Sequence, residues 1–451
     1  MNRCLHILLI LVLILGCVSY ISSPWQALAE DGTRAATVVV AASDSSPQSR
    51  AEADYICDGV DDQVEINTAI GELPTIGGKV LLMEGTFWRT EPIVINRSNF
   101  MIEGMGPATI IKSATEESLE KDIFTGDGSG HSGVWIKNLM VHGNWQEWGH
   151  SGAGDAFDIT NLTFSRFTDL EIQQAPGNAF FSEFTRGSQR HGNVLENISE
   201  GHSGRGAFIL QSLSNLHMRH IRIESGGGYG LYLKSVNYLC TLQDIMTHCH
   251  PGEHRGAQVR IQSCWGLDIR QLYIFHSSGP GLELTGSTYD NHIEAHIRWW
   301  GDANWESDMG TGPGVSIDGY NNVLDLQMQN GFENSDGIIF RDWEDRTSNN
   351  VINLDLDAKG KGLVFTTEHP EYFHGNIIQG TIRNVETPVE SLPPDVFVEL
   401  WNQDTNELLS FGNTSTGSAK HILLQMAVLL IVLLGAAPAV LIVRRWRRHS
   451  L

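Results

Sequence analysis

Histidines, carboxylates and tryptophans recur in one set of short polar segments, and together these residue types suit chemistry on sugar polymers. Hydrolysis of a glycosidic bond needs two carboxyls flanking it, one of them protonated. Glu224 and Glu253 fall at related positions of neighbouring segments, which makes them a candidate pair, and Asp302, Glu306 and Asp308 can contribute from a longer segment. Lyase chemistry would instead abstract the proton alpha to a uronate carboxyl, with Arg205 or Arg255 as the base and Ca²⁺ held by acidic residues. His250, between His248 and His254, is a further catalytic candidate or part of a transition-metal cluster.

Trp145, Trp148, Trp299, Trp300, Trp305 and Tyr229 offer flat apolar faces to sugar rings, and His202, Arg205 and His276 can bond hydroxyls. The alternative is that the tryptophans shield strand edges and pack on one another. Loops carry function more often than decoration, which favours binding.

These segments are the spacers of a repeat. Short runs opening on Gly206, Gly230, Gly256, Gly281, Gly314, Gly337 and Gly362 recur about every 25 residues. A second apolar set follows each run at offsets 0, 2, 5 and 7, as in Leu216/Met218/Ile221/Ile223 and Leu267/Ile269/Leu272/Ile274. The same offsets select Asn321/Val323/Leu326/Met328 and Asn349/Val351/Leu354/Leu356. Pairs such as Leu282 and Leu284 have period 2, the alternation of a strand. One such unit cannot bury its apolar face, whereas stacked copies make a continuous core. The expectation is an all-β parallel β-helix of about ten coils whose spacer loops form a ridge along one edge.

Before the repeat, Asp61 or Asp62 can cap a helix that draws apolar contacts from Val64, Ile66, Ala69 and Ile70 and ends at Gly71 and Pro74. Laid over the first coil, that helix would cover an open sheet edge. Here Asp58-Gly59-x-Asp61-Asp62, Gly77-Gly78-Lys79-Val80, Gly85-Thr86-Phe87 and Glu103-Gly104-x-Gly106 resemble the amino-terminal region of the pectate-lyase-like, right-handed β-helix superfamily, in particular its rhamnogalacturonase and epimerase-like branch. The resemblance implies the fold and leaves the activity open, since the superfamily includes lyases, hydrolases, epimerases and non-catalytic surface proteins. Polygalacturonase-type motifs are not carried over: Gly201-His202-Ser203-Gly204 and Arg260-Ile261-Gln262 depart from Gly-His-Gly and Arg-x-Lys.

The ends point to export. An apolar run from Leu5 to Leu15 after Arg3, with Ala27-Leu28-Ala29 beyond it, reads as a signal peptide over 1–29; Ile14-Leu15-Gly16-Cys17 is a competing lipobox. Residues 421–443 read as one transmembrane helix, and Arg444 to Arg448 would hold the tail 444–451 in the cytoplasm. Between them we expect a linker at 30–53, the β-helix over 54–400 (cap and first coils 54–112) and a polar stalk at 401–420. The β-helix would then lie outside the cell membrane, with a polysaccharide or surface glycan as partner. A net charge of −23 makes nucleic acid an unsuitable partner. Cys57, Cys240, Cys249 and Cys264 remain after signal removal, with three full pairings open to them and a buried, unpaired Cys240 favoured.

Overall fold

The computed structural model describes residues 36–183, 192–225, 228–249, 257–277, 279–300, 312–332, 335–341, 347–366 and 369–412. The residues read as a signal peptide, the segment 421–443 and the basic tail lie outside the described residues. No helix among the described residues is long and apolar enough to cross a membrane.

The chain winds as a right-handed parallel β-helix. Its first sheet stacks Thr37–Ala41, Gly78–Leu82, Phe100–Glu103 and then the leading half of each long strand, beginning with Val134–His142. The second sheet stacks Gly85–Arg89, Thr109–Ser113 and the trailing half of the same long strands. The glycine-led short strands form the third, in which Phe208 pairs with Leu231, Leu231 with Val259 and Val259 with Leu282. Leu282 and Leu284 are fully buried, and Glu283 between them points outward to Arg260. Stacked phenylalanines line the interior: Phe124, Phe157, Phe180 and Phe208 sit 4.9, 4.8 and 5.1 Å apart.

The bend between the first and second sheets is a single left-handed residue per coil. Asn138, Asp169, Asn197, His220, Asp244 and Gln271 all have φ between 53° and 55°. Short polar side chains tolerate that region best, so five of the six are Asn, Asp or His. The next coil loses the bend. Ile269 and Leu272 pair with Ile293 and Ala295, one residue closer together, so His292–Trp300 runs straight. The following strands stay straight, and Leu324, Leu326 and Met328, then Ile352, Leu354 and Leu356, point inward. Val323 and Val351 therefore face outward, against the offsets expected from the earlier repeats, because those offsets contain the bend residue.

A buried asparagine ladder holds the opposite corner of the same coils. Asn291 Nδ2 donates to Asn322 Oδ1, Asn322 Nδ2 to Asn350 Oδ1 and Asn350 Nδ2 to Asn376 Oδ1, at 3.0, 3.1 and 3.0 Å. Each amide also bonds a turn carbonyl, as Asn322 Nδ2 does to Thr288 O, so backbone groups shut away from water are satisfied.

The cap is built as a helix, Gln63–Glu72, with Ile66, Ala69 and Ile70 buried; Val64 is exposed and Gln63 takes its place in the interior. It covers the open edge through side chains. Asp62 accepts from Trp88 N, Gln63 from Thr90 N, and Asn67 both accepts from Val94 N and donates to Pro92 O. The Asp62 side chain accordingly makes no capping bond to its own helix.

Both expected boundaries move outward. The segment read as a linker contains the strand Thr37–Ala41 and the helix Pro47–Glu52, since Val38 and Val40 alternate inward and seal the first coil. The segment read as a stalk begins with a hairpin, where Phe397–Asn402 pairs antiparallel with Glu407–Phe411. Cys57, Cys240 and Cys264 are buried and free, and Cys240 and Cys264 accept backbone N–H groups at 3.3 Å.

Candidate functional site: a groove on the straight coils

Without the bend, the outward positions of successive straight strands form a broad continuous surface. One column runs Glu294, Asp325, Asn353, Gln379 and Glu399. The next runs Tyr273, His296, Gln327, Asp355, Thr381 and Trp401. All of these but Tyr273 and Thr381 line a groove of ≈ 690 Å³ that ends against Trp401 and Leu408 of the terminal hairpin. Gly380 lies in its floor with φ +150°, and a Cβ there would meet Leu354 O at 1.8 Å, so only glycine lets the backbone approach.

The polar groups of the groove are held in place. His292 lies 3.2 Å from Asp268 Oδ1 and 3.1 Å from Asp325 Oδ2, and these two carboxylates push its pKa up to about 9. The same contact, chiefly, draws the Asp325 carboxyl below its ordinary value, so it stays ionised at neutral pH. Asn353 Nδ2 donates to Asp325 Oδ1 at 2.5 Å, and Gln379 Nε2 to Asn353 Oδ1 at 2.8 Å. Thr381 Oγ1 donates to Asp355 Oδ1 at 2.8 Å. Tyr273 stacks on His296 at 4.9 Å and closes the other end. Asp325 and Asp355 stand one coil and two residues apart, which sets their backbones roughly 8 Å from each other.

The residues expected to form a loop ridge have different fates. Trp300 is fully buried and donates its indole N–H to Asp336 O at 3.0 Å; the left-handed Trp299, at φ 57°, breaks the alternation of Ile293, Ala295 and Ile297 and turns Trp300 inward, so it is a core residue and offers no ring to a ligand. Trp299 stacks on His276 at 4.8 Å, and His276 meets His248 edge to face at 5.1 Å, an aromatic row across three coils whose ring faces are largely engaged with one another. Trp145 donates to His202 O at 2.9 Å, and Trp148 is 37% exposed. Tyr229 accepts from Arg260 at 2.7 Å on the outside of the third sheet, and Arg205 is exposed. Glu224 is exposed at the end of its strand, its N–H donated to Glu200. Glu253, Arg255, His250 and Trp305 lie outside the described residues.

Two carboxyls at the same corner are raised by burial. Glu200, bonded by the N–H and hydroxyl of Ser203, goes up to about 7, and Asp155, bonded by Asn178, also to about 7. Their oxygens serve the turn. Among the described residues one group, Cys57, Asp62 and Glu65, brings three metal-ligating atoms together, but Asp62 already accepts two backbone N–H groups there.

The groove was missed in the sequence because alternating polar residues on a strand look like any solvated face. The available signal was Glu294-x-His296, Asp325-x-Gln327 and Asn353-x-Asp355, polar residues rich in carboxylates and amides repeating in phase where the bend residue disappears.

No protein-family model matches the chain. An iota-carrageenase from Zobellia galactanivorans is 26% identical over 195 residues, covering 39% of this chain and 38% of that one. An exopolygalacturonase from Thermotoga maritima superposes with a TM-score of 0.48 and 12% identity over 78% of this chain and 90% of its own. The catalytic domain of a GH87 alpha-1,3-glucanase variant in complex with tetrasaccharides gives 0.42 and 12%, over 76% and 66%. The chain thus spans well under half of the carrageenase and about two thirds of the glucanase domain. Its coil geometry is that of the right-handed parallel β-helix class to which the amino-terminal motifs assign it.

Proposed function

We propose that this protein binds a polysaccharide along the groove between Tyr273 and Trp401 and hydrolyses it there. The observation that carries the proposal is the pairing of Asp325 with Asp355 across the two columns. Their backbones stand roughly 8 Å apart, which suits carboxyls set about 6.5–9.5 Å apart with a water molecule between them, the arrangement of an inverting hydrolase. Asp325, held ionised by His292, would act as base, with Asp355 as the second carboxyl across the groove. Trp401 supplies an apolar ring for one sugar, and the Gln327, Asn353 and Gln379 amides supply partners for hydroxyls. The likeness to an iota-carrageenase supports a sugar polymer as the substrate class.

A second reading has its own support. Both Asp325 oxygens are already bonded, to His292 and Asn353, as befits a rigid binding surface without turnover. Reducing-end release by wild type, Asp325→Asn and Asp355→Asn separates the two. Hydrolysis predicts turnover that falls in both variants with binding largely kept. Glycan binding without release of reducing ends by the wild type would leave the binding reading.

For the whole chain we propose export, with the β-helix outside the cell and the segment 421–443 as its membrane anchor. The apolar runs at both ends and Arg444 to Arg448 support this. Protease added to intact cells is expected to remove the β-helix, and full protection until lysis would refute the orientation.

A further inference from the structure

We propose that the groove selects glycans whose sugars carry neither sulfate nor carboxylate, an inference that rests on the groove being the glycan site. Among the described residues, four carboxylates line it, Glu294, Asp325, Asp355 and Glu399, and no lysine or arginine does. Of the nearby guanidinium groups, Arg270 bonds Asp268 at 2.7 Å and Arg383 bonds Asp357 at 3.1 Å, while Arg298 is exposed one outward position beyond His296, outside the groove lining. His292 meets Asp325 of the groove but is shared with Asp268 outside it, and His296 of the groove lies 3.7 Å from Glu294. The carboxylates fall on four of five successive coils, which repeat about every 4.8 Å, so a sugar chain laid along the columns passes over them in turn. An anionic group on each sugar would lie within a Debye length of several like charges, in a concave site that concentrates their field. A neutral sugar pays no such penalty, and its hydroxyls can donate to the same carboxylates; an amino sugar would be attracted.

The contrast with the carrageenase relative makes this testable, because carrageenan is a sulfated polymer. The purified full-length chain is titrated with neutral gluco-, galacto- and manno-oligosaccharides, chitosan oligosaccharides, oligogalacturonate and iota-carrageenan oligosaccharides, at low and high salt. The same titrations are run on Trp401→Ala and on Asp355→Asn/Glu399→Gln. We expect a neutral or amino-sugar glycan to bind best and Trp401→Ala to lose it. Any carrageenan binding should strengthen with salt, and by about tenfold in the double variant, as screening and charge removal relieve repulsion. Tightest binding of an anionic glycan, lost in Trp401→Ala, would overturn the selectivity while leaving the groove as the site. No glycan bound by a folded wild type would overturn both.

Discussion

His292 Nε2 meets Asp325 Oδ2 at 3.1 Å across one coil boundary, while His292 Nδ1 meets Asp268 on the other side. The imidazolium therefore clamps the bent coil of Asp268 to the straight coil of Asp325. Its raised pKa means that this stabilisation is complete below its ordinary value of 6.5 and fades as pH rises through about 9. On the acid side, Asp268 and Asp325 are lowered, so it holds above their ordinary 3.8 and is lost as they protonate below it. His292→Asn should melt earlier than wild type at pH 6 and converge with it near pH 10. A deficit that does not change between those pH values would contradict the clamp.

The asparagine ladder should behave as a unit. Asn322→Ala removes a donor to Asn350 and to Thr288 O and an acceptor from Asn291. Each buried group left unpaired costs about 1 to 3 kcal/mol, so a loss of at least about 2 kcal/mol is expected in denaturant unfolding. An unchanged midpoint would mean that the ladder is replaceable by water.

Adjacent tryptophans should part company. Trp300→Ala empties a buried site and should cost about 3 to 5 kcal/mol. Trp299 sits at φ 57° outside the core, so Trp299→Ala loses its stack on His276 and should cost under about 1 kcal/mol. Equal losses in thermal unfolding would show the register to be wrong.

Burial raises Asp155 to about 7, the opposite sign from Asp325. Its contribution is full below its ordinary 3.8 and is lost as pH rises through about 7, where the carboxyl must ionise in place. Asp155→Asn can still accept from Asn178 and should raise the melting temperature at pH 8 more than at pH 5. A larger gain at pH 5 would refute the buried-acid account.

The coil repeat was legible because burial imposes period 2 on every strand, and the cap because Ile66, Ala69 and Ile70 need a helix to face inward together. The missing bend was not: deletion of one residue between Ile293 and Ala295 leaves the apolar spacing plausible in either register, so Val323 and Val351 were placed inside. The site depends on that same slip: Gln327 faces outward in either register, but Asp325, the bend position in the expected one, becomes a regular strand position, and the polar column beside it runs unbroken as a groove. Trp300 was misread because strict alternation after Ile297 points to Trp299, whereas the left-handed backbone of Trp299 shifts the inward position by one.

The most direct test of the groove is a glycan-array comparison of wild type, Trp401→Ala and Trp148→Ala in the full-length chain. Trp401 ends the groove, whereas Trp148 is exposed on the loop side. Losing a central aromatic contact should weaken binding by at least about 1 kcal/mol. The groove predicts that Trp401→Ala loses the glycans bound by wild type and Trp148→Ala keeps them. Loss in Trp148→Ala with full binding by Trp401→Ala would move the site to the loop ridge and contradict the account.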